Sequence, residues 1–92
     1  MLSAKNLTFN LTAFGVTVNK PVTLHFVNLD KGTYHNVAVY TAPSGGAPIV
    51  DGQPVVGAGR RTYQWTFSTP GQFNFRCDFH PSMVGTLTVA GS

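Results

Sequence analysis

Apolar and polar residues alternate with period two along almost the whole chain. Leu7, Phe9 and Leu11 alternate with Asn6, Thr8 and Asn10; Phe14, Val16 and Val18 alternate with small or polar residues; Val22, Leu24 and Phe26 alternate with Thr23 and His25. Val37 and Val39 follow His35, Tyr63, Trp65 and Phe67 alternate with Thr62, Gln64 and Thr66, Phe73 and Phe75 with Asn74 and Arg76, and Leu87 and Val89 with Thr86 and Thr88. Successive side chains of a strand point to opposite faces, so each run reads as a strand with one face on a core. Turn residues separate the runs at Asn19-Lys20-Pro21, Asp30-Lys31-Gly32 and Thr69-Pro70-Gly71. About seven to eight strands and no helix predict an all-β fold, an antiparallel β-sandwich of two sheets. From Thr41 to Gly59, prolines and glycines interrupt any period; this stretch reads as a long surface excursion with one short strand near Ile49 and Val50. With no internal repeat and no linker, residues 1–92 read as a single domain.

Composition narrows the function classes. Ninety-two residues, 42% hydrophobic and 10% charged, with seven Phe and no long apolar run, suit one globular core and no membrane span. The formal net charge of +3 comes from six scattered Lys and Arg, of which only Arg60 and Arg61 adjoin, so no nucleic-acid footprint is visible. This charge reads as solvated surface that favours an acidic partner. Met1 to Lys5 lacks a positive segment followed by an apolar one, so no secretory signal is expected in this chain. No feature predicts oligomerisation, and a monomer is expected.

The cysteine is single, which excludes an internal disulfide and leaves it buried, reactive or a ligand. Cys77, His80 and Met83 follow one another at intervals of three, and His35 precedes Asn36 at the mouth of a strand-like run. A thiolate, a thioether and two imidazoles form the donor set of a mononuclear type 1 copper site: soft sulfur suits the reduced ion and imidazole serves both oxidation states. Cys77 would give the short thiolate bond, His35 and His80 the rest of a trigonal plane, and Met83 the weak axial contact. Parity brings them together. Cys77 shares a face with Phe73 and Phe75, His35 shares one with Val37 and Val39, and in antiparallel strands both would arrive at the same end of the sandwich. His80 and Met83 would sit in the loop leaving that end, before a strand from Gly85 to Ala90. Taken singly, Cys77 reads as a small buried hydrophobe and Met83 as core filler; the specificity lies in their order and spacing. His25 falls between Leu24 and Phe26 and reads as a solvent-facing strand residue, Arg60 and Arg61 as rim charge, Tyr34 as a loop aromatic and Trp65 as core.

Tyr34-His35-Asn36-Val37 and the stretch Phe67 to Val89, above all Thr69-Pro70-Gly71-Gln72-Phe73, Cys77-Asp78-Phe79-His80-Pro81-Ser82-Met83 and Gly85-Thr86-Leu87-Thr88-Val89, resemble the cupredoxins, the plastocyanin, azurin and amicyanin family of blue copper proteins. The ligand loop, with two residues between Cys77 and His80 and two between His80 and Met83, looks like the short amicyanin-type form. The resemblance implies a Greek-key sandwich, one copper on His35, Cys77, His80 and Met83, electron transfer through the edge of His80, redox partner proteins, and a periplasmic or otherwise extracytoplasmic location. It also implies that Asn36 ties the two ligand-bearing segments together and that its backbone hydrogen-bonds the Cys77 sulfur. The azurin-type disulfide is absent, and the Thr41–Gly59 excursion matches no family pattern.

Other classes fit less well. Copper enzymes that reduce nitrite or oxygen wire a blue site to a second copper through histidines flanking the cysteine, where this chain has Arg76 and Asp78. A catalytic zinc would not select a methionine. His80 paired with Cys77 as a nucleophile lacks an orienting carboxylate other than Asp78. No enzyme is therefore expected; a copper carrier or storage module, or a cupredoxin domain of a larger redox protein, stays open beside electron transfer.

Overall fold

The computed structural model describes residues 2–42 and 45–91, and among these every regular element is a strand. In chain order they are β1 Leu2–Lys5, β2 Thr8–Phe9, β3 Ala13–Thr17, β4 Val22–Asn28, β5 Tyr34–His35, β6 Ala38–Tyr40, β7 Pro48–Asp51, β8 Val55–Val56, β9 Gly59–Trp65, β10 Gly71–Cys77 and β11 His80–Ala90. They assemble into a four-stranded sheet, β2-β1-β4-β9, a five-stranded sheet, β3-β11-β10-β6-β7, and the small pair β5-β8.

The alternating apolar residues meet between the two large sheets. Leu2, Ala4, Phe9, Phe26 and Tyr63 come from one; Val39, Phe75, Leu87 and Val89 come from the other. Phe9 is the bridge: its ring lies 6.3 Å from Phe26 on its own sheet and 5.2 Å from Phe75 on the opposite one. Phe26 and Tyr63 stack at 6.2 Å, Tyr63 and Trp65 at 5.2 Å, and Phe14 leans on Phe75 at 5.0 Å. Rings in offset or edge contact add to the apolar area they bury, so these aromatics carry the sandwich. Gly85 stands in register with Phe75, and a side chain there would collide with that ring and with the Thr12 carbonyl; the missing Cβ makes room for the ring.

Periodicity located the long strands and missed the edges. Leu7 and Leu11 do not belong to a strand: Leu7 is exposed at φ 58° beside Asn6 at φ 54°, in a two-residue turn between Lys5 and Thr8 of the kind whose central residues both need positive φ. Within that run only Thr8 and Phe9 form a strand, β2, and it pairs with β1, whose Leu2 and Ala4 are fully buried. Two ladders, β1 on β4 and β3 on β11, are parallel within an otherwise antiparallel frame, a pairing that the alternation of one strand cannot specify. The Thr41–Gly59 excursion carries β7, paired with β6, and β8, paired with β5. His25 is exposed as expected, and Trp65 is half-buried against the core.

Tyr63 offers a check on this packing. Its hydroxyl donates to the Gln53 carbonyl at 2.6 Å, and burial, which disfavours the phenolate, pushes its pKa up to about 12. An acid whose pKa is raised by folding stabilises the fold fully below its unfolded value, about 10, and loses that contribution as pH rises through the folded value. Stability should therefore fall between about pH 10 and 12, by about 2 kcal/mol from this residue. Denaturant titrations across that window should show a shallower decline in Tyr63→Phe.

Candidate metal centre

The hairpin of β10 and β11 closes tightly. Cys77 pairs directly with His80 across the turn Asp78-Phe79, after an irregularity in register between Arg76 and Cys77. His80 and Met83 thus fall within β11, where the sequence suggested a loop, but beyond the Cys77–His80 pair the ladder to β10 resumes only at Val84, opposite Arg76, so residues 81–83 bulge between the two pairs. β6 runs antiparallel to β10, with Ala38 opposite Arg76 and Val39 opposite Phe75, so the chain just before β6 reaches the end where Cys77 stands. His35 lies there, at the end of β5.

The result is convergence. Cys77 Sγ lies 3.6 Å from His35 Nδ1 and 3.6 Å from His80 Nδ1, and all three donor atoms lie within 4.8 Å of one another. The two imidazoles meet edge to face at 4.7 Å between centroids. His35 and Cys77 are buried, as is Met83, which belongs to the same core cluster as Cys77. His80 alone of the four is half-buried. A transition ion bonds thiolate at about 2.3 Å and imidazole at about 2.0 Å, and at a trigonal angle these bonds span about 3.7 Å. The S···N separations match that span, so one ion fits between the donors.

Asn36 holds the two donor-bearing segments together. Its Oδ1 accepts the Asp78 N–H at 2.8 Å, and its Nδ2 donates to Asp78 Oδ2 at 2.8 Å, to the Gly52 carbonyl at 3.1 Å and to Asp51 Oδ1 at 3.2 Å. Gly52 can approach because it lacks a Cβ, which would meet the Val37 carbonyl and the Tyr63 ring. Asp78 also accepts from the Tyr40 hydroxyl at 2.5 Å, and Arg76 lies over the Tyr40 ring at 3.4 Å. Partial burial pulls the Asp78 carboxyl upward, yet hydrogen bonds with Tyr40, Asp51 and Asn36 outweigh it and hold the group below the ordinary range. The same Asp78 contact pushes Asp51 up, and it raises Tyr40.

Sequence reasoning missed a third carboxylate. Asp30 Oδ2 lies 2.7 Å from His35 Nε2, on the side of the ring away from Cys77. A hydrogen bond from the Leu7 N–H, aided by His35 and the Asn6 N–H against some desolvation, keeps the Asp30 carboxyl below its usual range. The only available signal was scarcity: the chain has three acidic residues, and one falls five positions before His35. Beside half-buried His80 in the chain, an aromatic ring is exposed. Phe79 and Tyr34 are 50% and 56% exposed with rings 6.3 Å apart, and exposed Val56 pairs with Tyr34 across the β5–β8 ladder.

The Asn36 links are directly testable. Asn36→Ala leaves the buried Gly52 carbonyl and the Asp78 N–H without this partner, and should lower unfolding free energy by about 1–3 kcal/mol, measured by urea titration of the metal-free protein.

Comparison with known proteins places the fold. Among solved structures, the chain superimposes on a dithionite-reduced auracyanin from the photosynthetic bacterium Roseiflexus castenholzii with a TM-score of 0.81, at 20% identity over 97% of this chain and 94% of that one. Auracyanin A, described as a "blue" copper protein from the green thermophilic bacterium Chloroflexus aurantiacus, gives 0.80 at 18% identity, over 97% and 95%. A reduced Cu(I) form of an amicyanin mutant gives 0.68 at 24% identity, over 97% and 79%. No curated protein sequence matches the chain. The family model for the cupredoxin-like domain matches residues 1–89, and the chain belongs to that family.

Proposed function

We propose that residues 1–92 form a single cupredoxin domain that carries one electron at a time on a mononuclear type 1 copper held by His35, Cys77, His80 and Met83. One observation carries this reading: a buried cysteine sulfur faces the Nδ1 atoms of two imidazoles at 3.6 Å each, with Met83 buried in the same core cluster as that cysteine. Copper bound there would supply a one-electron couple tuned by its axial ligand. The likeness to auracyanin and amicyanin, whose descriptions name copper, supports the same reading.

The chain's own residues divide the remaining work. Cys77 and His35, buried, keep water from the donors, and Asn36 with Asp78 fixes the spacing between their segments. His80 is the donor nearest to solvent, so a redox partner would meet the site there, on the apolar surface of Phe79, Tyr34 and Val56. The net charge of +3 favours an acidic partner. Among the described residues the His-Cys-His cluster is the one grouping of its kind, and Arg76 and Asp78 flank the cysteine; both favour a carrier of electrons over an enzyme with a second metal. A copper-delivery role would call for donors open to exchange, whereas Cys77 and His35 are enclosed. Among the described residues no helix is long and apolar enough to cross a membrane. The cupredoxin resemblance supports work outside the cytoplasm, and a monomer is the state expected.

Addition of cupric ion to the purified protein should produce an intense visible band from charge transfer between the Cys77 sulfur and the metal. A colourless product would overturn the reading. Cys77→Ser should lose the band yet keep a cooperative unfolding transition, because Phe9, Phe26, Phe75 and Tyr63 make the core. Met83→Gln should lower the reduction potential, since a harder axial oxygen favours the oxidised ion; voltammetry showing a rise would refute the axial assignment.

A further inference from the structure

The imidazole of His35 has two nitrogens with different neighbours. Nδ1 faces the Cys77 sulfur, while Nε2 lies 2.7 Å from Asp30 Oδ2. Asp30 is itself held on several sides. Its Oδ1 accepts the Asn6 N–H at 2.6 Å, its Oδ2 accepts the Leu7 N–H at 3.0 Å, and its own N–H donates to Asn28 Oδ1 at 2.9 Å. Fully buried Asn28 in turn donates to the Thr33 and Val55 carbonyls at 2.8 and 2.7 Å, which fixes the loop between Asp30 and His35.

The turn that meets the carboxylate has an unusual backbone. Asn6 tolerates the left-handed region, whereas Leu7 at φ 58° occupies it against its side chain's preference. With both residues left-handed, two successive N–H groups aim at one anion, the concave backbone arrangement that binds carboxylates and phosphates.

We infer that Asp30 is a positioning residue for the metal centre: it holds His35 in the Nε2–H tautomer, leaves the Nδ1 lone pair free for the ion, and adds negative charge that favours the oxidised state. This rests on the copper reading, and it extends the site to the β1–β2 turn. A neutral imidazole has one donor and one acceptor nitrogen, and a carboxylate can only accept, so the pairing selects the tautomer.

Nitrogen-15 NMR of the metal-free wild-type protein at about pH 9, above the ordinary imidazole range, reports the tautomer without any metal. His35 protonated at Nε2 is expected; protonation at Nδ1 would overturn the inference. Copper-loaded Asp30→Asn, which keeps an oxygen acceptor but not the charge, should bind cupric ion about 10- to 100-fold more weakly. Cuprous affinity should fall less, so the potential should rise by about 59 mV for each tenfold difference between the two losses. Unchanged affinity and potential in a folded variant would refute the electrostatic role. If the variant does not fold, the wild-type tautomer decides. If the wild type itself stays colourless with copper, the copper reading fails, while the tautomer still reports on Asp30.

Discussion

Two hydrogen bonds between Asn36 and Asp78, one in each direction, join segments that are far apart in sequence and belong to different hairpins. Each segment carries a donor immediately beside the joint, His35 on one and Cys77 on the other. The remaining Asn36 contacts, to Gly52 and Asp51, bring in the Thr41–Gly59 excursion as an outer brace. Buried amides with all their partners are costly to disturb, because breaking one bond strands another polar group away from water. The spacing of the donors is thus set by protein contacts.

The acidic residues follow the same logic. The chain has three, and every one is engaged around the donors: Asp30 on His35, Asp51 and Asp78 on Asn36. None is left to balance Lys5, Lys20, Arg60 and Arg61, so the net charge of +3 is carried by the surface away from the site. A partner would meet the apolar ring surface of Tyr34 and Phe79 at one place and unopposed cations at others.

Much of this was legible in the sequence, and the limits have physical causes. β4, β9, β10 and β11 are long, with one buried face, and their alternation shows it; the four donors stand out because three of them share one short segment. β1 escaped notice because Leu2 and Ala4 are its only buried side chains, while Leu7 and Leu11 extended the period into a turn and a loop. Asp30 was invisible for a different reason. Its role depends on a turn in left-handed conformation, presented by a strand that pairs in parallel with β4, and no local pattern encodes an encounter between distant backbone N–H groups and one carboxylate. The neighbourhood of His35 was also hard to read by parity, since His35, Asn36, Val37, Ala38 and Val39 are all buried and the strand has no solvent face.

The direct pairing of Cys77 with His80 across a two-residue turn has a consequence for speed. Electron transfer between proteins is slowed when bonds and angles must rearrange as the charge arrives. A sulfur and an imidazole that flank the same tight turn share one short backbone frame, which resists changing the interval between them, while the His35 side is latched through Asn36. In a carrier built this way, little nuclear rearrangement would accompany each change of charge. Turnover would then depend on how closely and how long a partner rests against His80, a property of the encounter between two surfaces.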